Sequence, residues 1–218
     1  MNLSFTPFRT ALAAGAFLAI FALSGCSKPG DSLVTQAMNA YSAKDYDAAL
    51  GFFQQALDAD TRYSDEILYG FIASIYTHQE DWDKAADYQE KSLAKKADYR
   101  GYVSLGMLRH YAGDDQRAQE AYATAIAMDG SRGEAYASLA ALYMGQGRGD
   151  EAVPLLEKAV ALDPKIALFQ ANLAVAYAMC GDSEKSEEAL RQAEALKCEN
   201  LPLFRSRAQE ALEKAARQ

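Results

Sequence analysis

Residues 133–166 read GEAYASLAALYMGQGRGDEAVPLLEKAVALDPKI and divide into two apolar stripes around a glycine-rich turn. Tyr136, Leu139, Ala140 and Tyr143 recur at helical spacing. So do Ala152, Leu155, Leu156 and Ala159. The turn between them is Gly145-Gln146-Gly147-Arg148-Gly149-Asp150. The segment therefore predicts two helices folded back on each other. Moving outward, the same small residues return along the chain. Ala37, Ala73, Gly106, Ala140 and Ala174 form one series. Ala49, Ala85, Ala118, Ala152 and Ser186 form a second, and Ala56, Ser92, Ala125, Ala159 and Ala193 a third. All three share the steps 36, 33, 34 and 34. A period of this size marks a helical solenoid. Small residues are needed where two helices press backbone to backbone, and each hairpin repeats that contact.

The turns repeat as well. Lys44-Asp45, Glu80-Asp81, Gly113-Asp114 and Gly181-Asp182 match the turn after Tyr143. Glycine permits a left-handed exit from one helix, and the following aspartate can cap the amides of the next. No run alternates with period two over a strand's length, so the chain is expected to be all-α.

The register resembles the tetratricopeptide repeat family. The fourth repeat carries the fullest match, with Tyr136, Leu139, Ala140, Tyr143, Gly147, Ala152, Leu156, Ala159 and Pro164. The fifth keeps Leu173, Ala174, Tyr177, Gly181, Leu190 and Ala193. The third keeps Tyr102, Leu105, Gly106, Gly113, Ala118, Tyr122 and Ala125, with Arg109 at a usual aromatic. The second keeps Tyr69, Ile72, Ala73, Tyr76, Ala85 and Leu93, with Gln89 at a usual aromatic. The first departs most, with Gln36 and Ala40 at larger apolar positions. The resemblance implies a right-handed superhelical solenoid of five helix hairpins, near 30–63, 64–98, 99–132, 133–166 and 167–198. It also implies a concave groove lined by the first helix of each hairpin. Carried onto this chain, the lining includes Met38, Tyr41, Phe71, His78, Arg100, Met107, His110, Tyr111, Met144, Val175 and Met179. Chaperone-binding members of the family grip a terminal carboxylate with basic and amide side chains. Val34, Met38 and Phe71 stand where several of those would be, which argues against such a clamp.

The ends read differently. Residues 1–25 hold one charge, Arg9, followed by an apolar run from Ala11 to Leu23, the pattern of a secretory signal. It closes on Leu23-Ser24-Gly25-Cys26, which resembles the lipobox of bacterial lipoproteins. By that resemblance the chain is cut before Cys26, which then carries the lipid. An ordinary signal peptide with a chance cysteine is the competing reading. Residues 26–30 would be the lipidated cysteine and a short tether, with the first helix expected at Asp31. Two or more fatty chains anchor stably, whereas one does not. At the other end, residues 199–218 predict a capping helix, with Asn200 as its N-cap and Pro202 in its first turn. Leu201, Phe204, Ala208, Ala211, Leu212 and Ala215 form its apolar face. Ala208 continues the first small-residue series, 34 positions after Ala174.

Net charge is −8, and removal of residues 1–25 leaves 21 basic against 30 acidic residues, a net of −9. Nucleic-acid binders show basic patches, so no nucleic-acid partner is expected. Broad attraction to anionic lipid headgroups is not expected either. Cys180 and Cys198 fall at opposite ends of one hairpin, roughly 15–20 Å apart by helix rise. A disulfide needs Cα atoms within about 7 Å, so no bridge is expected. His78 and His110 near the ends of neighbouring first helices make at most an incomplete metal site. No nucleophile-base-acid set stands out, and no enzyme activity, cofactor or metal is expected. Glu157 is expected on an outer face.

The expected function is a membrane-anchored scaffold that docks proteins through its groove during assembly of a pilus, secretion, cell-wall or outer-membrane machine. The alternative is a non-catalytic regulator of an envelope enzyme such as a peptidoglycan hydrolase. The ligand is expected to be a helical or extended apolar segment of an envelope protein. The expected location is the bacterial cell envelope: the outer membrane facing the periplasm, or else the outer face of the cytoplasmic membrane. Ser27, rather than aspartate, after the lipid cysteine favours the outer membrane in enteric bacteria.

Overall fold

The computed structural model describes residues 28–217, which form eleven α-helices with no strand among them. The expected leader, residues 1–25, and the expected lipid-bearing Cys26 lie outside the described residues. The first hairpin is α1 (Asp31–Ser42) and α2 (Tyr46–Leu57). It is followed by α3 (Asp65–His78) and α4 (Trp82–Lys95), then α5 (Tyr99–Tyr111) and α6 (Asp115–Met128). The last two hairpins are α7 (Gly133–Gly145) with α8 (Gly149–Leu162), and α9 (Ala167–Met179) with α10 (Ser183–Ala195). A single helix, α11 (Leu201–Ala215), ends the series. The chain divides into two compact units, one ending at Leu68 and the other beginning at Tyr69, so the boundary falls inside α3.

Four of the five second helices start as the sequence predicts. Asp45, Asp81, Asp114 and Asp182 accept hydrogen bonds from the backbone amides of Ala48, Lys84, Arg117 and Lys185. Each satisfies a donor that the helix itself cannot pair. The exception is α8. Its N-cap is Arg148 with no side-chain cap bond, and Asp150 lies inside the first turn. There it complements the helix dipole instead of capping. Asn200 also does not cap. It takes a left-handed conformation, φ 60°, at the step into α11, and Pro202 occupies the first turn as expected.

The left-handed exits are shared between glycine and other residues. Gly113, Gly147 and Gly181 have φ of 82°, 79° and 78°. In the first two hairpins the same step falls to Lys44 and Glu80, at φ 61° and 58°. Those two side chains bear a steric cost of roughly 1–2 kcal/mol that glycine avoids.

The small-residue series map onto buried helix contacts. In the first unit, α1 buries Val34 and Ala37 against α2, which buries Ala49, Phe53 and Ala56. Phe53 has no exposed surface, and burying such a ring contributes ~1.5–3 kcal/mol. In the second unit, Ala118, Ala125, Ala140, Ala152, Ala159, Ala174 and Ala193 are all fully buried. Ser186 is buried with them, while Ser92 is only half-buried. At Gly106 even alanine is too large, since a Cβ there would lie 2.5 Å from Cε1 of Tyr122.

Within the second unit, α5 packs on α6, α7 on α8 and α9 on α10. Successive hairpins join through α4 against α5, α6 against α7 and α8 against α9. The first helices also touch one another, α5 with α7, α7 with α9 and α9 with α11.

Candidate partner-binding surface

The first helices α5, α7, α9 and α11 lie side by side in the second unit, so one side of each is shared with its neighbours. The residues expected to line a groove fall into three groups. Phe71, Met107, His110, Tyr111 and Met179 are half-buried, leaving part of each in solvent. His78 and Arg100 are exposed. Met144 and Val175 are not on an open face at all, being only 5% and 7% exposed. They belong to the core, because a first helix in this unit is packed on more than one side. α9 alone buries Phe169, Ala171, Leu173, Ala174, Val175, Ala176 and Ala178, against α8, α10, α7 and α11. In the first unit, Met38 and Tyr41 are half-buried, with Tyr41 meeting Tyr46 edge-on at 5.9 Å.

Two of the half-buried groups have structural duties. The ring of Tyr111 stacks on Trp82 at 4.7 Å, joining the end of α5 to the start of α4. His110 Nδ1 lies 2.7 Å from Asp115 Oδ1. The other oxygen of Asp115 accepts from Gln146 Nε2 at 3.0 Å. Burial raises the Asp115 pKa, but the bonds from Gln146 and His110 more than offset it, so the carboxylate sits below its ordinary range. His110-Asp115-Gln146 is thus a polar chain between the turns of two consecutive hairpins.

Three residues link neighbouring helices in ways that helical periodicity does not indicate. Arg109 is buried, 4% exposed, and its guanidinium bonds Glu90 at 2.7 Å and Asp87 at 3.0 Å on α4. Burial alone would lower its pKa, but the two carboxylates raise it above the ordinary value. Glu157 is exposed, as an outer-face residue should be, and it also accepts a 2.7 Å hydrogen bond from the Tyr177 hydroxyl, which ties α8 to α9. The Tyr99 hydroxyl accepts from the Ala135 amide at 2.9 Å in the interior. The only sequence signal for the first two is a polar pair about twenty residues apart, spanning two hairpins.

Cys180 is exposed and Cys198 half-buried, both as free thiols, and Cys198 Sγ lies 3.3 Å from the Glu199 carbonyl. Among the described residues no group of three or more His, Cys, Asp or Glu is placed to hold a metal ion. No described helix is long and apolar enough to cross a membrane. What the surface offers is a mixed strip on the first helices. Phe71 and Met107 supply apolar contact, while His78 and Arg100 supply polar contact at its margins.

Stacked helix hairpins with an accessible first-helix strip define a helical-repeat scaffold for protein–protein interaction. Sequence comparison makes the class specific. Tetratricopeptide repeat family models match residues 34–100, 104–165 and 143–197, and the chain belongs to that family. It is similar to the TPR repeat-containing protein MJ1428 of Methanocaldococcus jannaschii, 30% identical over 53% of this chain and 20% of that protein. It is also similar to the heat shock protein sti1 homolog of Schizosaccharomyces pombe, 29% identical over 48% of this chain and 17% of that one. The chain thus spans about a fifth of the length of the curated relatives it matches. Among solved structures, a tetratricopeptide repeat protein of Parabacteroides merdae superposes with TM-score 0.75 at 16% identity, over 86% of this chain and 75% of that one. The MamA protein gives 0.68 at 19%, over 77% and 91%. YrrB, described as a TPR protein with an unusual peptide-binding site, gives 0.63 at 22%, over 83% and 90%. At these identities the likeness is one of fold.

Proposed function

We propose that the chain is a lipid-anchored tetratricopeptide scaffold of the bacterial cell envelope. It holds a helical or extended apolar segment of another envelope protein against its first helices. The observation that carries the anchoring is Leu23-Ser24-Gly25-Cys26, a lipobox-like run closing an apolar leader just ahead of a repeat array. Support for the binding mode comes from Met107, which stays partly open on α5, a first helix packed against α4, α6 and α7. Burial-driven contact of this kind tolerates salt better than exposed ion pairs do.

One experiment tests both halves. The wild type, Cys26→Ser and Met107→Ala are expressed in a bacterial host, fractionated and used to capture partners from detergent extracts at low and moderate salt. Cys26→Ser should lose its lipid label and leave the membrane fraction. Met107→Ala should stay there but retain less partner. A Cys26→Ser chain that still partitions with detergent removes the anchor. A partner that elutes wholly in moderate salt, or binds Met107→Ala undiminished, removes the apolar strip. Tyr111 is unsuitable for this test, because its stacking on Trp82 ties it to the fold.

A further inference from the structure

The first unit is folded almost to the point where the lipid would attach. Lys28 is no slack linker. Its backbone N–H donates to Asp31 Oδ2 at 3.0 Å and its ammonium to Asp60 Oδ1 at 2.8 Å. Gly30 N–H donates to the Asp60 carbonyl at 2.9 Å. Asp31, only 5% exposed, also accepts from the Arg62 amide at 3.0 Å and the Thr61 hydroxyl at 3.2 Å. The start of α1 and the loop 58–64 are therefore one tied body. Adjacent Cα atoms are 3.8 Å apart, so the Cys26 Cα lies within about 7.6 Å of that of Lys28. An acyl-bearing Cys26 cannot sit in a bilayer without bringing this end of the unit down to the surface.

The same end carries an open apolar side chain. Ile67, in the first turn of α3, is 44% exposed although it is large and apolar. Tyr63 precedes it, half-buried, with the Arg62 guanidinium 5.6 Å from its ring centre. An aromatic ring with a polar tip suits the interfacial zone of a membrane. Charge selects the kind of lipid. Residues 28–68 carry three basic side chains, Lys28, Lys44 and Arg62, against seven acidic ones, a net of −4. Anionic headgroups would be repelled, so the fitting surface is zwitterionic.

We infer that the first hairpin is held with the start of α1 and the loop 58–64 against a zwitterionic lipid surface, with Tyr63 and Ile67 touching it. This rests on the proposed lipidation of Cys26. The acyl chains supply the affinity and the loop edge supplies the orientation. Met38 and Tyr41 then stand about 10 and 15 Å along α1 from its membrane end, at 1.5 Å per residue. A partner reaching them is engaged within one helix length of the bilayer.

The test uses lipidated full-length protein in phosphatidylcholine vesicles. Ile67→Trp is placed in a Trp82→Phe background whose fold is checked by circular dichroism. Emission from the new tryptophan should be quenched by lipids brominated near the headgroup. A Gly-Ser insertion of about 12 residues between Ser27 and Lys28 gives a flexible tether. It should abolish the quenching while the protein still sediments with the vesicles. Intact mass separates the two ways to fail. A chain without the acyl adduct removes the lipoprotein reading and this inference with it. An acylated, vesicle-bound chain whose introduced tryptophan is unquenched, or quenched equally with the long tether, overturns this inference alone.

Discussion

Arg109 and Tyr177 occupy one register position two repeats apart, with Tyr143 between them at steps of 34. Each reaches back from a first helix to a glutamate on the second helix of the preceding hairpin. Arg109 finds Glu90, and Tyr177 finds Glu157. The chemistry differs. The arginine is sealed in the joint while its partners Asp87 and Glu90 stay roughly half in water, at 59% and 47% exposure. The tyrosine is half-buried and, itself uncharged, donates one hydrogen bond to a carboxylate. The family pattern places an aromatic here. A charged side chain is accepted at the third repeat because α4 presents two carboxylates to it. The position thus demands length and a polar tip more than it demands a ring.

The comparison breaks most sharply at Arg109. Removing it by Arg109→Ala opens a gap and strips two carboxylates of their partner. Breaking a buried pair costs about 3–5 kcal/mol. Because Asp87 and Glu90 are half-solvated, a loss nearer ~2–3 kcal/mol is expected in denaturant unfolding. Arg109→Tyr, which restores the repeat's aromatic and can donate to Glu90 as Tyr177 does to Glu157, should fall within about 1 kcal/mol of the wild type. If the alanine variant unfolds at the wild-type midpoint, the joint is not held by Arg109.

A second expectation sets backbone contact against this polar link. Ala152 has no exposed surface, and Ala152→Leu should overpack α7 against α8 at ~1–3 kcal/mol. Glu157→Ala, which removes only the acceptor for Tyr177, should cost ~0.5–1 kcal/mol. Equal losses from the two variants would show that the small-residue contact is no more exacting than the hydrogen bond across the joint.

The smallest effect is a titration. Burial, and then the hydrogen bond and charge of Glu157, push the Tyr177 pKa up to about 12, from an ordinary value near ~10. The neutral phenol is the favoured form in the folded state. Its contribution to stability is therefore complete below pH ~10 and is lost as the pH rises through the folded value. The ultraviolet difference between wild type and Tyr177→Phe should show a phenol ionising late. Glu157→Gln should bring that ionisation partway back, since burial persists. A Tyr177 that ionises at its ordinary pH, with or without Glu157, would deny the link.

Much of the fold was legible because the constraint behind it is local and repeated. Ala118, Ala152 and Ala174 mark helix contacts in any sequence that folds as stacked hairpins, and aspartate after a tight turn caps in four cases of five. The failures had local causes too. Asp150 does not cap because α8 begins one residue before it, and Asn200 does not because it takes the left-handed step into α11. The binding strip was less legible. Met107 and Met144 share helical periodicity and residue type, yet one stays partly open and the other is core. A period reports that a helix has a buried side, not how many sides its neighbours cover.

The sequence by itself determined the hairpins, their number and the small-residue contacts that join them. A 34-residue period leaves few other ways to bury the same face each time. Only the tertiary structure decided which first-helix residues are spent on neighbouring first helices. It also decided that Arg109 pairs with Asp87 and Glu90, and that Lys28 is bound into the first unit through Asp31 and Asp60. The arginine pairing depends on side chains about 20 positions apart meeting across a joint, and the Lys28–Asp60 tie on two ends of one hairpin 32 positions apart coming together. Whether two polar groups so separated lie within hydrogen-bond reach is set by how one hairpin sits on the next, and helical periodicity carries no information about that.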